Sequence, residues 1–471
     1  MSPLTFLSAS EMALQIREKK ISPVELVQAH LERIGQLNPK LNAFAHVDAK
    51  GALMQARGCE ESAARSELRG SLHGVPLTIK SCMEVAGLRC ESGTELRRGH
   101  VGETDATVVA RLRQAGAVIL GTTNVPEFNM SYETDGPLYG RTNNPWDLER
   151  TPGGSSGGEA AAIAAGFSAG GLGTDGAGSI RVPAHFSGIC GLKPTPGRIP
   201  ISGHYPPVGG PFAILGVIGP LTRTMQDLKL LFEVVAGADW GDAPSAPVAL
   251  RWPEEKQLRQ LCIGTFEDDG RTPVTPETRA AVRSAAEALQ QAGFEVASFR
   301  PDGLERIRQI SMLWFGWGGL MALRAVMGAR ADELPITKEY LDVLGGEPQV
   351  TGEELLISWF ERDTVRLQVL AQMQEYPVLL CPVASLPAFR HGERTWEIDG
   401  QTVRYLDVFS YTQWFNLLGF PAVSVPVGRS PQGLPIGVQV VGRPWEEEVV
   451  LSIAAIIERE AGGWQPPPEI N

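Results

Sequence analysis

The chain predicts an α/β fold, with helices layered against a sheet, and three observations carry that expectation. Segments of helical period alternate with short apolar runs of strand type from the N-terminus onward. Apolar runs return near the C-terminus, followed by a closing helix. No stretch rich in Pro, Ser and charge separates independent units. At 471 residues, 43% hydrophobic and 20% charged, one large core can be buried. Length alone would suggest roughly three domains, but the missing linkers favour one.

The first seventy residues read as helices. "SASEMALQIREKK" has apolar residues at helical spacing, with Ser8 or Ser10 as N-cap before Glu11. "SPVELVQAHLERIGQLN" repeats the pattern, and Pro23 suits a first turn after Ser22. "HGVPLTIK" is a buried strand ending on Lys80. "TDATVVARLRQAG" is an amphipathic helix stopped by Gly116, and "AVILGTTN" a strand running into a polar turn. "GEAAAIAAG", Gly158 to Gly166, is a helix. From Gly176 to Gln226 no acid occurs and Gly and Pro are dense, so irregular backbone with short strands is expected. Further on, "LCIGTF", "YPVLLCPVA" and "GLPIGVQVVG" read as strands, and "TPETRAAVRSAAEALQQAG" and "EEEVVLSIAAIIERE" as helices.

Several functions are disfavoured. A net charge of −12 argues against a nucleic-acid surface as the main role. The six cysteines are irregularly spaced with no C-x-x-C, which suits reduced thiols. The N-terminus lacks a basic stretch followed by an apolar core, and no run of about 18 strongly apolar residues is apparent. A cytoplasmic protein with no membrane partner is therefore expected. No two of the seven histidines stand at H-x-x-x-H spacing, so they read as surface or structural groups and no metal is expected. "GLGTDG", Gly171 to Gly176, matches G-x-G-x-x-G but is followed by Pro183, and no acid occurs until Asp227, so a dinucleotide site is disfavoured. "GGSSGGEA" puts Glu159 where a phosphate loop would carry Lys.

Nucleophilic chemistry fits the glycines better. Ser179 follows Gly176-Ala177-Gly178, whose amides could converge on the oxyanion that forms when a hydroxyl attacks a carbonyl. A turn with an incidental serine explains the same segment. Arg181 occupies the position where a nucleophile elbow G-x-S-x-G needs its last glycine. A lysine base is then required, and burial must leave it neutral. Lys80, at the end of an apolar strand, is the candidate, against a snorkelling surface lysine.

"LHGVPLTIK", "RTNNPWDLERTPGG", "GGSSGGEAAAIAAG", "GTDGAGSIRVPAHFSGICGLKPTPGR" and the C-terminal "FNLLGFPAVSVPVG" and "GLPIGVQVVGRP" together resemble the amidase signature family over nearly the whole chain. The resemblance implies an α/β/α sandwich around a large twisted mixed sheet in a single domain, residues 1–471. Within it, 1–70 would be a helical lead-in and 71–225 would hold the catalytic motifs. About 243–350 would be a variable region that shapes substrate choice, and 376–471 would complete the core. It implies amide hydrolysis through an acyl-enzyme, with Ser179 as nucleophile, Ser155 as a bridging serine after a cis peptide bond, and Lys80 as base. The oxyanion hole would be the amides of Gly176, Ala177, Gly178 and Ser179. No cofactor or metal is implied, the partner would be a small-molecule amide, and a homodimer is left open.

Two departures stand out: Ser81 where many relatives have Asp after the base lysine, and Ala177 where many have Gly. A second reading is the glutamine-hydrolysing A subunit of a tRNA-dependent amidotransferase. That group usually carries Ser-Arg-Tyr-Gly after "KPT-x-GR" and Ser after "GGSSGG"; this chain has "IPISGHYPP" and Glu159. Asp175 and Arg181 read as structural charges holding the nucleophile loop. The aromatics of "MLWFGWGG" and "FSYTQWFNLLGF" read first as core; any that reach the site would favour aryl or aliphatic amides over charged ones.

Overall fold

Among the described residues, eleven strands pair into one mixed sheet, and two more form a separate hairpin. The computed structural model describes residues 3–209, 213–344, 346 and 350–470. In chain order the strands are β1 (Phe44–Val47), β2 (Pro76–Lys80), β3 (Val118–Thr123), β4 (Gly170–Asp175), β5 (Cys190–Lys193) and β6 (Val217–Thr222). They continue as β7 (Cys262–Thr265), β8 (Glu295–Ser298), β9 (Val378–Pro382), β10 (Thr395–Ile398), β11 (Gln401–Arg404), β12 (Ala422–Arg429) and β13 (Pro435–Gly442). Across the large sheet the order is β1-β3-β2-β4-β6-β5-β12-β13-β9-β7-β8, and β10 pairs with β11. Strand β2 runs parallel to both β3 and β4, and β7 to both β8 and β9; the other neighbours are antiparallel.

Helices cover both faces, and the strand sequences show why. On β3, Ile119 enters one apolar cluster with helices Met225–Val235 and Glu447–Glu460, while Val118 and Leu120 enter another with Pro23–Leu41 and Ala49–Ala64. Successive side chains of a strand point to opposite faces, so a sheet covered on both sides needs continuous apolar runs. The first helix, Ala9–Arg17, is capped by Ser8, whose hydroxyl accepts from the Glu11 N–H at 3.1 Å while Glu11 Oε2 accepts from the Ser8 N–H at 2.8 Å. All six cysteines are free; five are buried and Cys262 is partly so.

Three elements differ from expectation. Strand β1 interrupts the helical lead-in and edges the sheet against β3; four residues are too few for periodicity to reveal it. Helix Arg181–Ser187 forms just after the second glycine run, straight through Pro183. The proline sits in the first turn, where its missing N–H would have had no intrahelical acceptor. Finally, Leu304–Glu333 is long enough to cross a membrane and holds an 18-residue window of mean hydropathy 1.3, whereas the sequence predicts no such stretch. Its composition mixes Gly and aromatics among the aliphatics, and it folds as α-helix, a π-helical turn at Met312–Gly318, α-helix and 3-10 helix in succession.

Candidate active site

Parallel pairing brings the C-terminal ends of β2 and β4 to the same edge of the sheet. Lys80 ends β2, and Thr174 and Asp175 end β4. Lys80 is fully buried, and its Nζ donates to Ser155 Oγ at 2.7 Å and to Thr174 Oγ1 at 2.6 Å. Burial is the main cause that lowers its pKa from 10.5 to about 8, while negative charge on Cys82, Asp175 and Glu159 works against it. A neutral amine is therefore accessible near physiological pH, which a solvent-facing lysine would not offer.

Ser155 precedes helix Gly157–Ala164, and the peptide bond Gly154–Ser155 is cis. The glycines around it are required by close packing. A Cβ on Gly154 would lie 2.7 Å from the carbonyl oxygens of both Ser131 and Glu133. Ser156 ties this segment to β4, because its Oγ accepts from the Thr174 N–H at 3.3 Å and donates to the Thr174 carbonyl at 3.2 Å. The Ser156 N–H also donates to the Ser179 carbonyl at 3.1 Å, which joins the two glycine-rich segments directly.

The loop from Gly176 to Ile180 is built around Asp175. Its buried carboxylate meets Arg181 through Nε to Oδ2 and Nη2 to Oδ1, both 3.0 Å, and accepts from Asn416 Nδ2 at 3.0 Å. Burial alone would raise its pKa, but the Arg181 charge and hydrogen bonds hold it well below the ordinary carboxylate range. Both charges therefore hold the loop, as expected. Asp175 Oδ1 also accepts from the Gly178 N–H at 2.7 Å. The Gly178 amide thus has an acceptor within its own loop in this structure. The other end of the same peptide plane is fixed too, since the Ala177 carbonyl accepts from Thr412 Oγ1 at 2.7 Å and Tyr132 OH at 2.9 Å. Gly178 still has to be glycine. Its φ is +128°, and a Cβ there would stand 2.4 Å from Thr412 Oγ1. No group among the described residues accepts from the N–H of Gly176, Ala177 or Ser179.

Glu159, in the first turn of its helix, is fully buried. It accepts from Thr78 Oγ1 and, at 2.7 Å, from Thr123 Oγ1, and β4 makes room for it because Gly171 has no side chain. Burial pushes its pKa up to about 8 against those hydrogen bonds and the Lys80 charge. Sequence reading gave Glu159 no place beside the lysine, and it missed Thr174 altogether. A threonine on a strand carries no signal until the neighbouring strand is known.

Ser155, Thr174, Gly176, Ala177 and Ser179 lie on the wall of one cavity of about 490 Å³. Ser179 is 8% exposed. The remaining lining is chiefly apolar, including Phe128, Met130, Leu215, Met312, Phe315 and Leu323. No Lys or Arg lines it among the described residues. The aromatic segments split. Phe315 reaches the cavity, whereas Trp314, Tyr411, Trp414 and Phe415 are core, with Trp314 Nε1 donating to Ser358 Oγ at 2.7 Å.

The Amidase family model matches residues 25–451. The chain is 34% identical to indoleacetamide hydrolase of Bradyrhizobium diazoefficiens over 98% of its own length and 87% of that protein. It is also 34% identical to the glutamyl-tRNA(Gln) amidotransferase A-type subunit of Roseiflexus castenholzii, over 100% of this chain and 99% of that one. Among solved structures, a bacterial aryl acylamidase of the amidase signature family superposes with a TM-score of 0.86 at 27% identity, covering 98% of each chain. The chain belongs to the amidase signature family, whose members are amide hydrolases.

Proposed function

We propose that this protein is a stand-alone amidase that hydrolyses amides with an apolar acyl group through a Ser179–Ser155–Lys80 relay. The observation that carries the reading is the buried Lys80 amine, 2.7 Å from Ser155 Oγ at the wall of an apolar cavity that Ser179 shares. Neutral Lys80 takes the proton of Ser155, and Ser155 takes that of Ser179 as Ser179 Oγ attacks the amide carbon. The oxyanion forms beside the uncommitted amides of Gly176, Ala177 and Ser179, and each such donor is worth roughly 3 kcal/mol of barrier. Protons return through Ser155 to the departing nitrogen, because an amide anion is too basic to leave unprotonated. Water then releases the carboxylate from Ser179. The lining supports aryl or aliphatic acyl groups, since a carboxylate-bearing substrate would meet no cation there.

The full-length similarity to the amidotransferase relative favours one other reading, a glutamine-hydrolysing component of a larger assembly. Purified chain, assayed for ammonia release from phenylacetamide, indole-3-acetamide, hexanamide and glutamine, separates the two. Turnover of the apolar amides by the chain alone is expected. Turnover of glutamine only, and only with a partner chain supplied, would replace the first reading with the other.

A further inference from the structure

His204, expected as a surface or structural histidine, stands on the cavity wall beside Ile201, Pro206 and Pro207. Backbone pairing with Met83 mounts it firmly. The Glu84 N–H donates to the Gly203 carbonyl at 2.9 Å, and the Tyr205 N–H to the Cys82 carbonyl at 2.8 Å. His204 is thereby held opposite a residue only three positions beyond Lys80. Its Nδ1 lies 2.8 Å from the Pro206 carbonyl oxygen. A carbonyl can only accept, so Nδ1 carries the proton. Burial, with a smaller contribution from the Lys80 charge, lowers the imidazole pKa to about 4 against that hydrogen bond. The ring is therefore neutral, and Nε2 presents a bare lone pair. No described residue donates to that atom.

We propose that His204 Nε2 accepts an N–H of the scissile amide, so that the enzyme favours amides carrying such a hydrogen over esters of the same acyl group. The inference rests on the serine–lysine reading above. In that reading the departing nitrogen takes its proton from Ser155, whose Oγ is 2.7 Å from Lys80 Nζ. The nitrogen must therefore face the Ser155 side of the cavity, and His204, on the same cavity wall, is mounted opposite Met83, three residues beyond Lys80. While its lone pair receives the Ser155 proton, its N–H needs an acceptor elsewhere; the wall also carries Asn129, Ser131, Ser311, Glu339 and Gln413, but His204 is the one mounted opposite the segment that follows Lys80. An ester oxygen would set lone pair against lone pair, which is how a site built to pair with a substrate N–H rejects the analogue lacking it.

The test compares kcat/KM for phenylacetamide and methyl phenylacetate in the wild type, His204→Leu and His204→Gln. The Leu variant is expected to lower the amide-to-ester ratio by about 10- to 100-fold, the loss of one buried hydrogen bond. The Gln variant, which keeps an acceptor oxygen, should recover much of that ratio. A ratio that stays put, because both substrates fall together or neither does, overturns the proposal. Should the Leu variant not fold, His204→Ala, which only removes atoms from the wall, carries the same comparison. Ser179→Ala in the same assay keeps the two layers apart. If it stays active on the amide, the underlying reading fails. If it is dead and the His204 ratio is unmoved, the role of His204 alone fails.

Discussion

Ser179→Ala should lose amide turnover by a factor on the order of 10⁴ to 10⁶, the scale seen when the nucleophile of a catalytic serine unit is removed. Stability should barely move. Ser179 Oγ makes no hydrogen bond to any described residue, and the loop is held by Asp175, Arg181, Asn416 and Thr412. A methyl in place of a hydroxymethyl at such a site belongs to the class of changes within about 1 kcal/mol. Kinetics with phenylacetamide and a thermal melt on the same sample check both halves. Near-normal kcat in a folded variant would remove Ser179 from the chemistry.

Lys80→Met carries the second large effect. Methionine keeps the apolar stem in its buried slot but removes the amine, so the relay loses its base. General-base removal typically costs about 10² to 10⁴ in rate. The pH profile makes the result specific. The base must be neutral, and burial sets its pKa at about 8. Below that pH the ammonium dominates, so wild-type kcat/KM should rise about tenfold per pH unit on the acidic side and level off above about 8. In the Met variant this limb should vanish and leave a low, flatter profile. An unchanged limb would place the titrating group elsewhere, and Glu159, whose pKa lies in the same range, would be the first alternative.

Much of this site is legible in the chain. The apolar run that ends on Lys80 fits a buried amine and a snorkelling one alike, and it is the family resemblance that sets it beside the serines. The serine segments are readable because glycines crowd where backbone meets backbone, as at Gly154, or where φ is positive, as at Gly178. What escapes sequence reading depends on partners distant in the chain. Thr174 matters only because β4 lies parallel to β2. The Gly178 amide faces Asp175 in a peptide plane whose carbonyl is held by Thr412 and Tyr132, more than two hundred residues later and some forty earlier. His204 gains its fixed tautomer from a carbonyl two residues on, in a turn that nothing in the composition marks. The fold divides in the same way. Long strands buried on both faces announce themselves, while a four-residue edge strand and a helix carrying Pro in its first turn do not.

The central claim is that Ser179 Oγ takes the acyl group. Rapid acid quench during turnover of methyl phenylacetate, followed by intact mass and peptide mapping, tests it most directly. The account requires one phenylacetyl adduct on the peptide containing Ser179, absent from Ser179→Ala. An adduct on any other residue, a buried cysteine such as Cys82 included, would contradict it.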